Sequence, residues 1–382
     1  MVMIKIAYIT TENPFDVNNN GGIGTYTGII AKGMARIGHQ VHCITVGNNK
    51  DQEIEKNLLL HNVSISDSHS TLYIENMTSF AKKIKEIQSN YGIDIIESPE
   101  WMAQGLLLSY SSKLTLVTRL HTPLFLIEDI LDGQKIYRKS EDIKKSEKEQ
   151  AKNSCGVTAP CTAMSMIVAD KWGVESKVIP NPIDISEFDL RAKNNVDIYE
   201  GPFLLFMGRL EYRKGALVLA ECLKQILPCH PNLKVIFCGQ DTLYKKKSIK
   251  SRILEICKSF EERLSFITHA KFEEKVSLMR QSSLIVLPSI WENFSYVALE
   301  AMCMGKTIVA SNVGGYSEMI EDGISGHLVE TNSPTALALK INLILNGELC
   351  NTGVGARKRV RENFDINILC YEFEKYYFSI IK

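Results

Sequence analysis

Short apolar runs alternate along this chain with longer stretches in which apolar residues recur every three or four positions. Ile4–Ile9 is a run of the buried-strand type, and Val41–Val46, Ile93–Ile96 and Leu114–Leu120 are others. Between the first two, Ile30, Gly33, Met34 and Ile37 follow helical spacing, with Gly38 as the stop. Phe80, Ile84 and Ile87 put one apolar face on a helix over Thr78–Gln88. Lys135–Lys152 is densely charged and made of helix formers, which reads as a solvated helix. Val157–Ala159, a helix near Thr162–Lys171 and Lys177–Pro180 follow. Periodicity lapses over Asn181–Pro202, where prolines and turn formers mark a hinge. It restarts with strands at Phe203–Phe206, Leu233–Cys238, Leu264–Ile267, Leu284–Leu287 and Thr307–Ala310, and with a helix over Gly215–Leu227. Strand and helix alternating in this way predict parallel sheets covered by helices, in two α/β halves. Paired sheets of this kind bind ligands outside the carboxyl ends of their strands.

Composition narrows the function classes. The 382 residues hold 44 Lys and Arg against 44 Asp and Glu, so no excess positive field grips nucleic acid. Apolar content of 45% with zero net charge excludes a disordered chain. Apolar runs such as Leu284–Leu287 fall far short of the roughly 20 residues a membrane span needs. The opening MVMIKIAYIT lacks a signal-peptide pattern, which predicts a cytoplasmic location. Ten scattered cysteines without a Cys-x-x-Cys pair read as small buried thiols in a reducing compartment. His39 and His42 have no accompanying third ligand, so no metal is expected there.

Four stretches carry candidate chemistry. In PSIWENFSYVALEAM, Glu292 lies in the loop after a strand, a helix is expected over Phe294–Met304, and Glu300 stands eight residues after Glu292. A helix start at a strand's carboxyl end presents free N–H groups and a positive dipole end, a site for a diphosphate. Taken alone, both carboxylates read as surface groups on a helix. In FLLFMGRLEYRKG, Arg209 follows a strand and a glycine, and Lys214 opens the next helix. Two cations so placed can converge on a diphosphate and stabilise charge on a leaving phosphate, or simply face solvent. In NNNGGIGTYTG, Gly22-x-Gly24 opens a helix. The fingerprint of dinucleotide sites fails, because Thr27 takes the third position and a dozen residues separate strand from glycines. A loop that closes on a ligand and a structural turn both fit. In TRLHTPL, His121 follows a strand end and Pro123 fixes the turn. The cluster Lys245, Lys246, Lys247, Lys250 and Arg252 reads as a solvated helix face, with weak contact at a membrane surface as the alternative.

In this order, the motifs resemble the retaining glycosyltransferases of family four, the group 1 glycosyl transferases of GT-B fold. The resemblance runs over nearly the whole chain. It rests on Glu292-(x7)-Glu300 followed by EAMCMGKTIVASNVGG, on GRLEYRKG about eighty residues earlier, and on IPNPID at the hinge. It implies an α/β chain of two Rossmann-like parallel-sheet domains facing each other across a cleft. Residues 1–185 would form the acceptor-side domain and 186–364 the nucleotide-sugar domain, with a last helix over 365–382 returning to the first. Arg209 and Lys214 would grip the donor diphosphate, with backbone amides of Phe294, Ser295 and Tyr296. Glu292 would bind hydroxyls of the transferred sugar, and Glu300 the ribose. Gly22 would close over the diphosphate, and His121 would lie beside the reacting sugar. The family's usual Glu-Gly-Phe-Gly is here Glu292-Asn293-Phe294-Ser295, with both glycines replaced.

The resemblance further implies transfer from a nucleoside-diphosphate sugar to a hydroxyl acceptor (sugar, lipid-linked or peptide) with retention at the anomeric carbon. The setting would be bacterial-type glycan, glycolipid or glycoconjugate synthesis, in the cytoplasm or at the inner face of the membrane. No cofactor and no metal are expected, and no Asp-x-Asp triplet occurs. Two other readings compete. A sugar-nucleotide epimerase would convert the donor without an acceptor, and a non-catalytic binding module would bind without turnover.

Overall fold

A computed structural model describes residues 2–16, 21–64, 72–191 and 199–381, with backbone only at 72, 73 and 189–191. Asn18–Asn20 of the glycine loop and residues 192–198 of the hinge lie outside the described residues. The chain divides into two compact units, Met1–Pro182 with Ile366–Lys382, and Ile183–Asp365.

The apolar runs of the first unit become strands β1 (Lys5–Ile9), β2 (Gln40–Val46), β3 (Gln52–Glu55), β4 (Leu58–Val63), β5 (Ile95–Pro99), β6 (Leu116–Arg119), β7 (Gly156–Ala159) and β8 (Lys177–Val178). They form one sheet in the order β3-β4-β2-β1-β5-β6-β7-β8. Neighbours are parallel except β3 and β4. The β3–β4 pair was not foreseen. β3 reads QEIE at a sheet edge, so it carries no apolar run to announce it. Helix Leu72–Tyr91 is longer than its apolar stripe. Phe80, Ile84 and Ile87 are buried against Ile9, Ile44 and Ile96. Each such side chain contributes roughly 1.5–3 kcal/mol of apolar transfer.

One expectation is corrected here. The charged segment forms helix Ser140–Asn153, but it is not simply solvated. Ser140, Ile143, Glu147, Gln150 and Ala151 are buried on one face. Their spacing is helical, yet three of the five are polar, so hydropathy did not reveal the face.

The second unit holds β9 (Phe203–Met207), β10 (Lys234–Cys238), a small hairpin of β11 (Leu243–Tyr244) and β12 (Lys247–Ser248), β13 (Leu264–Ile267), β14 (Leu284–Leu287), β15 (Ile308–Ser311) and β16 (His327–Val329). The main sheet runs β13-β10-β9-β14-β15-β16, all parallel. Every residue of β9, β14 and β15 is buried, as strands covered on both faces require. The basic cluster is also corrected: Lys245 and Lys246 form the hairpin turn with left-handed backbone, and the helix begins only at Ile249.

Strand order fixes where a ligand can reach each sheet. From β9 the chain proceeds to β10 and β13 on one side, then crosses to β14 on the other. The loops after β9 and β14 therefore diverge at a switch point, where α/β sheets open a crevice. In the first unit the same reversal lies between β1 and β5.

The last helix, Ile366–Ile380, belongs to the first unit and packs on helix Gly22–Arg36. A Cβ on Gly33 would run into Ile366. The Tyr377 hydroxyl donates to Glu97 at 2.8 Å. None of the ten cysteines forms a disulfide, and Cys155, Cys229 and Cys350 are exposed rather than buried. His39 is engaged by Glu374 at 3.0 Å, and His42 stacks on His61. Among the described residues no helix is long and apolar enough to cross a membrane.

Candidate active site

In the second unit the switch point gathers charge. The loop after β9 makes a 3₁₀ turn, Tyr212–Lys214, ending at Gly215 with a left-handed φ of 71°. A Cβ at Gly215 would overlap the Pro288 carbonyl, so only glycine lets this loop press on the loop after β14. The two loops are then stitched together. Ile290 N–H donates to the Arg213 carbonyl at 2.7 Å, and Arg213 Nη1 donates to the Trp291 carbonyl at 3.2 Å.

Lys214 Nζ pairs with Glu292 Oε2. Arg213 bridges Glu211 at 2.7 Å and Glu292 at 4.0 Å. Arg213, Lys214 and Glu292 are largely shielded from solvent. Burial acts against charge on Glu211, but Arg213, Arg209 and Lys214 outweigh it and hold its carboxyl below the ordinary value. Burial lowers the Lys214 ammonium, and Glu292 only partly offsets that. Arg209 stands apart from Glu292. It is 60% exposed and reaches Glu211 at 3.3 Å. Arg209, Arg213 and Lys214 against Glu211 and Glu292 leave one positive charge (3 − 2).

Helix Tyr296–Cys303 begins two residues later than its sequence suggests, because Ser295 is its N-cap and accepts from Ala298 N–H. Asn293, Phe294 and Ser295 are buried in the approach to it. Tyr296 and Val297 form the first turn, whose N–H groups precede the helix's own hydrogen-bond ladder. Gly315 N–H donates to the Glu292 carbonyl at 3.0 Å, and a Cβ on Gly314 would overlap that same oxygen. The Val313–Gly315 turn thus fixes the main chain of Glu292. Tyr316 is buried beside it, its phenol kept protonated by burial and by the Glu292 charge. Glu300 lies further along the helix, near Lys275. Burial pushes its carboxyl up to about 7, with Lys275 opposing.

In the first unit, His121 is held through its main chain. Both oxygens of the fully buried Glu100 accept its N–H at 2.8 Å. Its ring meets Tyr26 edge-on, 5.3 Å between centroids. Burial, and secondarily Arg119, push its pKa down to about 3, so the imidazole is uncharged at neutral pH. Tyr26 donates to Glu97 at 2.8 Å. Arg119 is buried over the Tyr26 and Phe373 rings and donates to Asn181, from IPNPID, at 2.7 Å. Gly22 is exposed at the first turn of helix Gly22–Arg36, and a Cβ there would meet open space. The packed glycines of that helix include Gly28, against the Pro14 carbonyl, and Gly33, against Ile366. The Glu12 carboxylate accepts Gly24 N–H at 2.5 Å, so it already occupies this helix start.

Lys214 and Glu292 therefore meet in one ion pair. Arg209 borders their cluster through Glu211, and Glu300 stands in a separate surrounding. Sequence reasoning missed Arg213, Glu211 and Glu100. Arg213 sits inside the quoted RKG, but only the phase of the 3₁₀ turn reveals that it points inward.

Two parallel-sheet α/β units, each opening at a strand-order reversal, define a GT-B fold, and the comparisons agree. A sucrose-phosphate synthase from Thermosynechococcus elongatus superposes with a TM-score of 0.80 at 21% identity, covering 99% of each chain. Anabaena HepE, solved with UDP and glucose, superposes with a TM-score of 0.73 at 18% identity over 98% of this chain and 100% of that one. Residues 189–364 match the family described as Glycosyl transferases group 1, and residues 20–187 match Glycosyltransferase Family 4. An uncharacterized glycosyltransferase of Methanocaldococcus jannaschii is 26% identical over 361 residues, 90% of this chain and 89% of its own. The chain belongs to the group 1, family 4 glycosyltransferases.

Proposed function

We propose that this glycosyltransferase moves a sugar from a nucleoside-diphosphate donor to a hydroxyl acceptor with retention of anomeric configuration and without a metal ion. The observation that carries the reading is the Glu211–Arg213–Glu292–Lys214 cluster beside the start of helix Tyr296–Cys303. HepE, of the same fold, was solved with UDP and glucose, which supports a nucleotide-sugar donor.

In this reading the diphosphate takes the N–H groups at Phe294, Ser295 and Tyr296 and the cations Arg209 and Lys214. Lys214 then exchanges part of its pairing with Glu292 for phosphate oxygens, which frees carboxylate oxygen for sugar hydroxyls. Charge builds on the leaving diphosphate as the anomeric carbon becomes oxocarbenium-like. The acceptor hydroxyl attacks from the same face and passes its proton to the departing phosphate. The two cations stabilise that charge, each worth ~3 kcal/mol. Glu300 takes the ribose, and His121 is assigned to the reacting sugar as an uncharged hydrogen-bonding group. Acceptors in glycan, glycolipid or glycoconjugate synthesis suit the family.

A thermal-shift screen with UDP-, GDP- and ADP-sugars, with and without EDTA, identifies the donor, because a ligand selective for the folded state raises Tm. Proton NMR of the product then reads the anomeric configuration. An inverted product, or activity lost to EDTA and restored by manganese, would sink the reading. Conversion of the donor with no acceptor present would favour an epimerase instead.

A further inference from the structure

Residues His121–Leu124 join β6 to helix Leu124–Ile130, and two carboxylates outside the transfer chemistry hold the ends of this segment. At its start, Glu100 directs both oxygens to His121 N–H at 2.8 Å each. At its end, Glu147 Oε2 accepts Leu124 N–H at 2.9 Å. Glu147 Oε1 accepts Met102 N–H at 3.1 Å, which ties the segment to the turn Trp101–Ala103 immediately after Glu100. Both carboxylates are fully buried. In that turn Met102 and Ala103 are left-handed, at φ of 58° and 49°, without being glycine. Such backbone persists only where its surroundings over-determine it.

Main-chain N–H groups are ordinarily satisfied by carbonyls or water, at far less desolvation cost than a buried carboxylate. Here two carboxylates are spent on a four-residue segment whose remaining freedom Pro123 limits further. With residue 121 held in this way, its ring sits against the edge of Tyr26, itself anchored by Glu97.

We propose that Glu100, backed by Glu147, is a positioning residue for His121: it sets the main chain at residue 121, so the protein and not the substrate determines where the imidazole stands. The consequence for turnover rests on the assignment of His121 to the reacting sugar, whereas the positional claim does not.

The test is nitrogen NMR of the full chain with labelled histidine, using His121→Asn to assign the signal. Arg119 on β6 and Tyr26 on helix Gly22–Arg36 face the ring, and the Glu100 carboxylate engages the main chain of the same residue. In the wild-type protein the ring does not titrate between about pH 5 and 8. In Glu100→Ala the segment loosens and the ring titrates near its ordinary value of about 6.5. Glu100→Gln keeps an acceptor oxygen in reach and behaves as wild type. A folded Glu100→Ala whose His121 signals match wild type overturns the proposal. Should the alanine variant fail to fold, Glu100→Asp keeps the carboxyl but withdraws it by one methylene. Loosening in Asp and not in Gln supports positioning, and the reverse order overturns it. In a turnover assay, Glu100→Ala lowers kcat by ~10²-fold with donor KM little changed. That loss vanishes in a His121→Ala background. If His121→Ala alone turns over normally, the role of His121 fails while the NMR result stands.

Discussion

Two sets of largely buried carboxylates, one in each unit, are held in opposite ways. In the second, carboxylates face side-chain cations: Glu211 with Arg213, Glu292 with Lys214. In the first, three of them face the main chain and phenols, Glu100 with His121 N–H, Glu147 with Met102 and Leu124 N–H, Glu97 with Tyr26 and Tyr377, while Glu128 pairs with Lys144 at 3.0 Å. Long side-chain cations can trade one anion for another by rotation, so the second unit's cluster is suited to accept a charged ligand. Main-chain partners cannot be traded without moving the fold, so the first unit's carboxylates hold shape. Carboxylates with exchangeable partners at the second unit's switch point thus contrast with carboxylates on fixed partners beside His121.

The largest break in this contrast is expected from Arg213→Ala. It leaves Glu211 and Glu292 without their shared guanidinium, and breaking a buried pair costs about 3–5 kcal/mol. Both melting temperature and turnover should fall. Arg209→Ala, at an exposed side chain, should cut turnover by orders of magnitude on the proposed diphosphate role and leave the melting curve in place. Equal thermal loss in the two variants would erase the distinction between them.

A smaller effect separates the two glycine sites. Gly215→Ala forces a Cβ into the Pro288 carbonyl and should separate the stitched loops, lowering Tm and activity together. Gly22→Ala meets open space and should leave Tm within about 1 °C, since surface substitutions away from special features stay within ±0.5 kcal/mol.

The smallest effect concerns pH. Burial raises the Glu300 carboxyl to about 7 in the folded protein, from an ordinary value near 4.5. A raised acid pKa favours folding while the group is protonated. That contribution is full below about pH 4.5 and is lost as pH rises through about 7. Glu300→Gln should therefore flatten the fall in Tm across this window and raise Tm at pH 8 by roughly 2–4 °C. Glu100 is pushed to about 7 as well, so Glu100→Gln is the matching control in the first unit.

Much of the fold was legible in the chain because a strand buried on both faces must be apolar throughout. β9, β14 and β15 announce themselves for that reason. β3 at a sheet edge and the polar buried face of helix Ser140–Asn153 do not. Of the site, Lys214 and Glu292 were found from motif position and meet in space. Arg209 was singled out for following a strand and a glycine, whereas Arg213 nears Glu292 only through the turn that the folded chain makes. Gly22 drew notice as the start of a glycine pattern, although Gly28 and Gly33 are the ones that packing requires.

Sequence by itself determined the alternation of strand and helix, the two α/β halves and the residue types that meet at the strand ends, because hydrophobic period and glycine position act locally. Tertiary structure alone decided which cation faces Glu292 and which carboxylate holds His121. Those partners lie 78 and 21 residues apart and become neighbours only when the strand order of each sheet brings their loops together.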